Sequence, residues 1–151
     1  MNVSENYSSQ IEVWYRDWFR NERLYDAWAK RHGYNYNELF VLYLLNSTGG
    51  CTPSYMAEFL SLSKQSVNSI LNRLDKRQMI LRIRSDEDRR KCLIVLTPEA
   101  AGSVSDMMSE LGRLENRAFG NLGKENIGKM IELNSRLTDS FMVTMQEEED
   151  K

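Results

Sequence analysis

The stretch Ser63–Thr97, SKQSVNSILNRLDKRQMILRIRSDEDRRKCLIVLT, decides the fold of this 151-residue chain. Its first half has apolar residues at the i, i+3, i+4, i+7 spacing of an amphipathic helix, namely Val67, Ile70, Leu71 and Leu74. From Met79 the period changes. Leu81 and Ile83 alternate with two arginines, and Leu93 and Val95 alternate with Cys92, Ile94 and Leu96, which predicts two strands joined by a charged turn at about residues 85–89. The stretch therefore predicts a polar-faced helix followed by a charged hairpin.

The composition is typical of one soluble globular domain covering residues 1–151. Hydrophobic residues make up 41% of the chain and charged residues 28%. The longest apolar run, residues 39–45, is far shorter than the ~20 residues that span a bilayer, and the first ten residues lack the pattern of a secretory signal. The two cysteines, Cys51 and Cys92, have no metal-ligand or redox spacing. We therefore expect a cytoplasmic protein without cofactor or metal.

Charge is distributed unevenly along the chain. The formal net charge is -2. Residues 63–91 contain nine basic and four acidic residues, so their charge is +5 and that of the remaining residues is -7. A solvated charged surface is the alternative interpretation. A basic segment on an acidic body favours a polyanionic partner that docks in one orientation.

Start signals divide the rest of the chain into helices. Residues 9–31 have a helical apolar period. A second helix starts at Asn35, where Asn35 and Glu38 have capping-box spacing, and runs through LFVLYLL, which is apolar all round and should be buried. Thr52-Pro53 and Thr97-Pro98 are start signals for the third and fifth helices, Ser63 caps the fourth, and a sixth covers about residues 124–145. The predicted fold is mainly α, with six helices and a small β-hairpin, in a winged helix-turn-helix arrangement.

The polar face of the fourth helix has the side chains that read DNA bases. With the apolar stripe turned inward, seven polar residues remain outside: Lys64, Gln65, Ser66, Asn68, Ser69, Asn72 and Arg73. Lys pairs with guanine, Gln and Asn with adenine, and Ser with either. Its N-terminal turn has no acid, so the helix dipole and the side chains both attract phosphate. This pattern favours DNA recognition over a neutral exposed face.

The hairpin tip is strongly charged. Arg89, Arg90 and Lys91 follow three acids that end at Asp88. A salt-bridged loop is one interpretation. In the other, Asp88 holds one guanidinium in place while another reaches the minor groove, whose negative potential attracts Arg.

These residues resemble the MarR (multiple antibiotic resistance regulator) family of winged helix-turn-helix transcription factors. The likeness rests on Ser63-Lys64-Gln65-Ser66-Val67, then Leu74, Asp88-Arg89-Arg90 and Leu96-Thr97, and the helix order extends it to nearly the whole chain. The resemblance implies that Arg90 enters the minor groove and that Asp88 braces the wing. It also implies that Lys64, Gln65, Ser66, Asn68 and Ser69 read bases, whereas Asn72 and Arg73 contact phosphates.

Two positions depart from the family pattern. The family usually has Gly where the fourth helix ends, and this chain has Gln78. A left-handed conformation there would cost about 1 kcal/mol. Ala100 stands where a Gly is common after the Leu-Thr pair.

Three long amphipathic helices provide more apolar surface than a small helix-turn-helix core can cover. The resemblance implies a homodimer joined through the first, fifth and sixth helices, so we expect residues 9–46 and 98–146 to form the dimerisation region and residues 47–97 the DNA-binding lobe. Such a dimer would bind a pseudo-palindromic operator. Relatives often bind small aromatic anions, and five residues are candidates for such a pocket, with plain core packing as the alternative: Trp18, Tyr25, Trp28, Tyr36 and Tyr43.

Other classes of function fit less well. With one His, scattered Cys and no Gly-rich loop, the chain lacks the usual constellation of an enzyme. A winged-helix module that binds another protein remains the alternative, but it would not need the acid-free polar face. Oxidant sensing by Cys51 or Cys92 and the choice between repressor and activator stay open, although a repressor relieved by a small ligand is the expectation.

Overall fold

The computed structural model describes residues 6–84, 86–88 and 91–150. Within these residues the elements are six helices and two strands, in the order α1 (Ser8–Arg31), α2 (Tyr36–Thr48), α3 (Pro53–Phe59), α4 (Lys64–Lys76), β1 (Ile80–Arg84), β2 (Cys92–Leu96), α5 (Pro98–Leu122) and α6 (Lys124–Glu149). The predicted class, mainly helical with one small hairpin, is confirmed. The fifth helix continues through Gly120 to Leu122.

The chain forms two compact units, Met1–Met107 and Met108–Lys151. The first unit contains α1 to α4, the hairpin and the start of α5. Its core is built around α2, whose five aliphatic residues are at most 2% exposed: Leu39, Val41, Leu42, Leu44 and Leu45. The aliphatic residues of α2 are therefore buried, as the sequence predicts, whereas Tyr43 on its remaining side is 44% exposed. The second unit contains the end of α5 and all of α6.

Side-chain caps begin three helices at the predicted residues. Asn35 accepts a hydrogen bond from the Glu38 amide, and the Glu38 carboxylate accepts one from the Asn35 amide, which completes a capping box. Thr52 caps α3 ahead of Pro53, and Ser63 caps α4. These caps satisfy amides that have no partner within the helix.

The junction between α1 and α2 is fixed by Asp26. One of its carboxylate oxygens accepts a hydrogen bond from the Tyr36 amide at 3.0 Å, and the other lies 2.6 Å from the Lys30 ammonium. The hydrogen bond from Lys30 has the largest effect in lowering the pKa of Asp26, and the hydrogen bond from the Tyr36 amide lowers it further. The start of α2 is therefore attached directly to α1.

The hairpin is attached to the helical core through a third short strand segment. β1 and β2 are antiparallel, with Ile80 opposite Leu96 and Arg84 opposite Cys92. Cys51 pairs with Ile94 through two backbone hydrogen bonds of 3.0 and 3.1 Å. A Cβ on Gly50 would lie 2.7 Å from Val95 Cγ1, so this close approach requires glycine.

The turn after α4 adopts the left-handed conformation that the sequence raised as a possibility. Gln78 has a φ of 56°, and the Met79 amide donates back to the Leu74 carbonyl at 3.0 Å. Thr97 secures this turn, since its hydroxyl donates to the Gln78 carbonyl at 3.0 Å and accepts from the Ala100 amide at 3.2 Å. The left-handed turn therefore forms with Gln78 in the place of the usual Gly.

Replacing Gln78 by Gly tests the strain at this turn. Because glycine adopts a positive φ without steric cost, Gln78→Gly should raise the free energy of unfolding by about 1 kcal/mol in urea denaturation. The control is Lys76→Gly, which places the same residue in the last turn of the helix and should lower stability by about 1 kcal/mol. A lower free energy of unfolding in Gln78→Gly would contradict the inference that Gln78 is strained.

Candidate nucleic-acid interface

The orientation of α4 is set by its apolar stripe. Val67, Leu71 and Leu74 have no exposed surface, and Ile70 is 3% exposed. α4 packs against α3 and β1, the elements that precede and follow it. The opposite face must therefore point away from the core.

All seven polar residues singled out on this helix are exposed. They are Lys64, Gln65, Ser66, Asn68, Ser69, Asn72 and Arg73. The N-terminal turn has no acidic residue, and the acid of this helix is Asp75 near its other end. Because the exposed amides and the helix dipole attract anions at an N-terminus, the start of α4 is suited to a phosphate or to base acceptors.

Besides Ser66, whose hydroxyl accepts from the Ser63 hydroxyl at 2.9 Å, three residues of this face have side-chain partners inside the protein. Arg73 donates from Nε to the Glu38 carboxylate at 2.7 Å and from Nη1 to the Ser69 hydroxyl at 3.1 Å. Arg82 on β1 donates from Nη2 to Asn72 Oδ1 at 3.2 Å. Sequence reasoning missed Glu38 and Arg82 as neighbours of the face. The capping box was the one sequence signal at Glu38, and it gives no indication of a contact with a residue 35 positions later.

The described part of the hairpin has exposed basic side chains. Arg82, Arg84 and Lys91 are exposed, and Asp88 is half-buried. The Lys91 amide donates to the Asp88 carbonyl at 2.9 Å. Arg89 and Arg90 lie outside the described residues, so the proposed bracing of a wing guanidinium by Asp88 stays a prediction.

The five aromatic candidates for a ligand pocket fall into three groups. Tyr25, Tyr36 and Tyr43 surround the ring of Phe40, with ring centroids 5.6, 4.9 and 6.4 Å from it. Trp28 is buried and stacks on His32 at 4.0 Å, whereas Trp18 is 54% exposed and stacks on Phe19. Phe40, which the sequence analysis did not single out, connects the three tyrosines.

Other chemistry has little support in the described part of the chain. There, no group of three or more His, Cys, Asp or Glu side chains is placed to hold a metal ion. Burial raises the pKa of the Cys51 thiol, although a hydrogen bond with Thr48 works in the opposite direction, so the thiol form is favoured at neutral pH. None of the described helices combines the length and the apolarity needed to cross a membrane.

The helix pair α3–α4, the hairpin that follows it and the strand segment at Cys51 together define a winged helix-turn-helix protein. The sequence model of the MarR family matches residues 34–92, which include all of this unit except the end of the hairpin. A curated relative, the uncharacterized HTH-type transcriptional regulator YfiV of Bacillus subtilis, is 36% identical over 78 residues. That match covers 52% of this chain and 48% of the relative, so the chain spans about half the length of the curated relative it matches.

Solved structures resemble the chain over most of its length. A MarR family regulator from Neisseria meningitidis has a TM-score of 0.78 at 24% identity, with 95% of this chain and 99% of that chain covered. A mutant MarR from E. coli complexed with operator DNA has a TM-score of 0.71 at 19% identity, with 89% and 99% covered. A segment of the chain thus matches the MarR family, and the chain has the fold of solved members of that family, as the sequence resemblance predicts.

Proposed function

We propose that the protein is a transcriptional regulator that binds double-stranded DNA sequence-specifically, as a homodimer on a pseudo-palindromic operator. The observation that carries the proposal is the face of α4: seven polar side chains are exposed there, and its first turn is free of acid. The solved relative from E. coli, whose fold the chain shares, is complexed with operator DNA. In this proposal residues 47–97 form the DNA-binding lobe, and residues 9–46 and 98–146 provide the dimerisation surface.

The proposed contacts divide by position. The first two turns of α4 enter the major groove, where Lys64, Gln65, Ser66, Asn68 and Ser69 meet base edges. Asn72 lies one turn further along and contacts phosphate. The hairpin reaches the minor groove, with Arg89, Arg90 and Lys91 as its cations and Asp88 as their brace.

A second copy of the chain is the proposed partner for the apolar faces of α1 and α6. None of the residues of α6 is buried, although Met130, Leu137 and Phe141 share one face of the helix. On α1, Ile11, Tyr15, Trp18 and Phe19 are all more than 40% exposed. Soluble monomers rarely leave apolar patches of this extent uncovered. Dimerisation would cover them and would also present two α4 helices to two half-sites.

Regulation by a small aromatic or anionic effector completes the proposal, with the protein acting as a repressor that the effector releases from DNA. The ring cluster of Tyr25, Tyr36, Tyr43 and Phe40 supports it, because these four aromatic rings lie close together at the surface of the first unit and provide area for a flat ligand. Trp18 and Trp28 stay candidates through the resemblance alone.

Substitutions on α4 test the proposed base contacts. A duplex identified by footprinting DNA that flanks the protein's own gene is titrated with Gln65→Ala and Asn68→Ala, and fluorescence anisotropy gives the affinity. Each variant should bind the operator about 1–3 kcal/mol more weakly than the wild type. The loss of binding free energy should be smaller on a duplex in which the contacted base pair has been changed, because a lost base contact relaxes specificity at that position. An exposed α5 variant, Asp106→Ala, serves as the control. Equal loss on every sequence would contradict a reading role for these side chains.

Sedimentation tests the proposed dimer. The wild type should sediment with twice the mass of one chain, and Leu137→Glu should shift it toward the monomer because a carboxylate would be buried without a partner. Ser135→Glu adds the same charge on the side of α6 opposite Leu137 and should leave the dimer intact. A monomeric wild type at micromolar concentration would contradict the assignment.

A further inference from the structure

Glu38 is a buried carboxylate that depends on hydrogen bonds from its neighbours. Its side chain is 8% exposed, so its charge is stable only if hydrogen-bond donors replace the water it has lost. One oxygen accepts from the Asn35 amide at 2.9 Å, and the other accepts from Arg73 Nε at 2.7 Å. Arg73 is therefore a structural partner of the start of α2.

Turning the Arg73 guanidinium away from Glu38 and toward a DNA phosphate would break this pair. Glu38 would then keep a buried oxygen without its cation, which is unfavourable in a low-dielectric environment. The Arg73 side chain is 46% exposed, so its own desolvation is modest, and the larger cost falls on Glu38. The contact with Glu38 thus favours an Arg73 that stays where it is when DNA binds.

A second arginine reinforces the same connection one turn later on the chain. Arg77 donates from Nη1 to the Gly33 carbonyl at 3.0 Å, and its guanidinium lies 4.3 Å from the centroid of the Tyr34 ring. Gly33 and Tyr34 form the turn that precedes α2. The C-terminal end of α4 is therefore attached to the start of α2 through Arg73 and to the preceding turn through Arg77, the C-cap of α4.

We propose that Arg73 is a positioning residue, anchored by Glu38, that fixes the angle of α4 for base recognition and does not itself contact phosphate. The proposal rests on the proposed function and changes the role that the family resemblance implied for Arg73. Because a guanidinium paired with a buried carboxylate carries little net charge toward the DNA, its loss should affect geometry rather than the number of neutralised phosphates.

The same arginine biases the chemistry of Ser69. Arg73 Nη1 donates to the Ser69 hydroxyl oxygen at 3.1 Å. A charged donor polarises the hydroxyl, so its own proton becomes a stronger donor. Ser69 is therefore expected to face an acceptor such as guanine O6, guanine N7 or adenine N7. Glu38 thus determines specificity from a distance, through Arg73 and Ser69.

The test compares Glu38→Gln, Arg73→Gln, Arg73→Lys and the double variant Glu38→Gln/Arg73→Gln with the wild type. Anisotropy gives the affinity for the operator duplex and for a scrambled duplex of equal length over a series of salt concentrations. Lys76→Gln and Glu58→Gln each remove one exposed charge, positive in the first and negative in the second, and are the controls for charge alone. Urea unfolding tests whether each variant is folded.

A positioning role predicts a distinct pattern. Glu38→Gln and Arg73→Gln should each weaken operator binding by about tenfold, and the double variant should weaken it by no more, since both changes break one unit. Arg73→Lys should also weaken it, because an ammonium cannot hold Glu38 and Ser69 in the same planar geometry. Binding to the scrambled duplex and the salt dependence should stay close to those of the wild type.

A phosphate contact predicts the opposite. Glu38→Gln would then release the Arg73 charge and leave operator binding unchanged or tighter. Arg73→Gln would lower the salt slope by about 0.9, the value for one phosphate contact, and Arg73→Lys would retain most of the affinity. This outcome overturns the positioning role alone. A wild type that binds operator and scrambled DNA equally would overturn the proposed function, and the positioning role with it.

Discussion

The burial of one apolar stripe on α4 is the constraint on which the rest of the structure depends. Val67, Ile70, Leu71 and Leu74 are almost completely removed from solvent, and burial of each aliphatic side chain contributes about 1.5–3 kcal/mol. Since a helix has a fixed period, turning this stripe inward leaves no choice about which residues turn outward. A rotation of α4 by one residue would expose aliphatic carbon and bury amides and hydroxyls without partners. The polar face is thus oriented by the hydrophobic effect before any ligand is present.

Polar contacts then fix what burial leaves free. A helix held by an apolar stripe can still tilt, and the side chains that remove this freedom come from both ends of the lobe. Thr97 secures the turn that ends α4. Arg73 near the end of α4 pairs with Glu38, and Arg77 at its C-cap donates to the Gly33 carbonyl. On the other side, Arg82 of β1 reaches Asn72. The helix that carries the proposed base readers is therefore connected to both α2 and the hairpin.

Local signals in the sequence were sufficient for the elements and their order. The Thr-Pro pairs, the capping box at Asn35 and the change of period at Met79 act over a few residues, and the structure begins its helices and strands close to where they predict. Contacts across the fold were not predictable in this way. The pairing of Glu38 with Arg73 joins residues 35 positions apart, and no periodicity encodes it. The aromatic candidates show the same limit, because helical spacing cannot distinguish Trp28, buried against His32, from Tyr36 beside Phe40.

Photocrosslinking tests most directly whether the outward face of α4 meets DNA. A photoreactive amino acid is placed at Gln65, on that face, and in a second protein at Asp106, an exposed position on α5. After irradiation with the operator duplex, we expect a protein–DNA adduct from position 65 that unlabelled operator suppresses, and none from position 106. An adduct from position 106 of equal yield, or no adduct from position 65 under conditions where the protein binds DNA, would contradict the account.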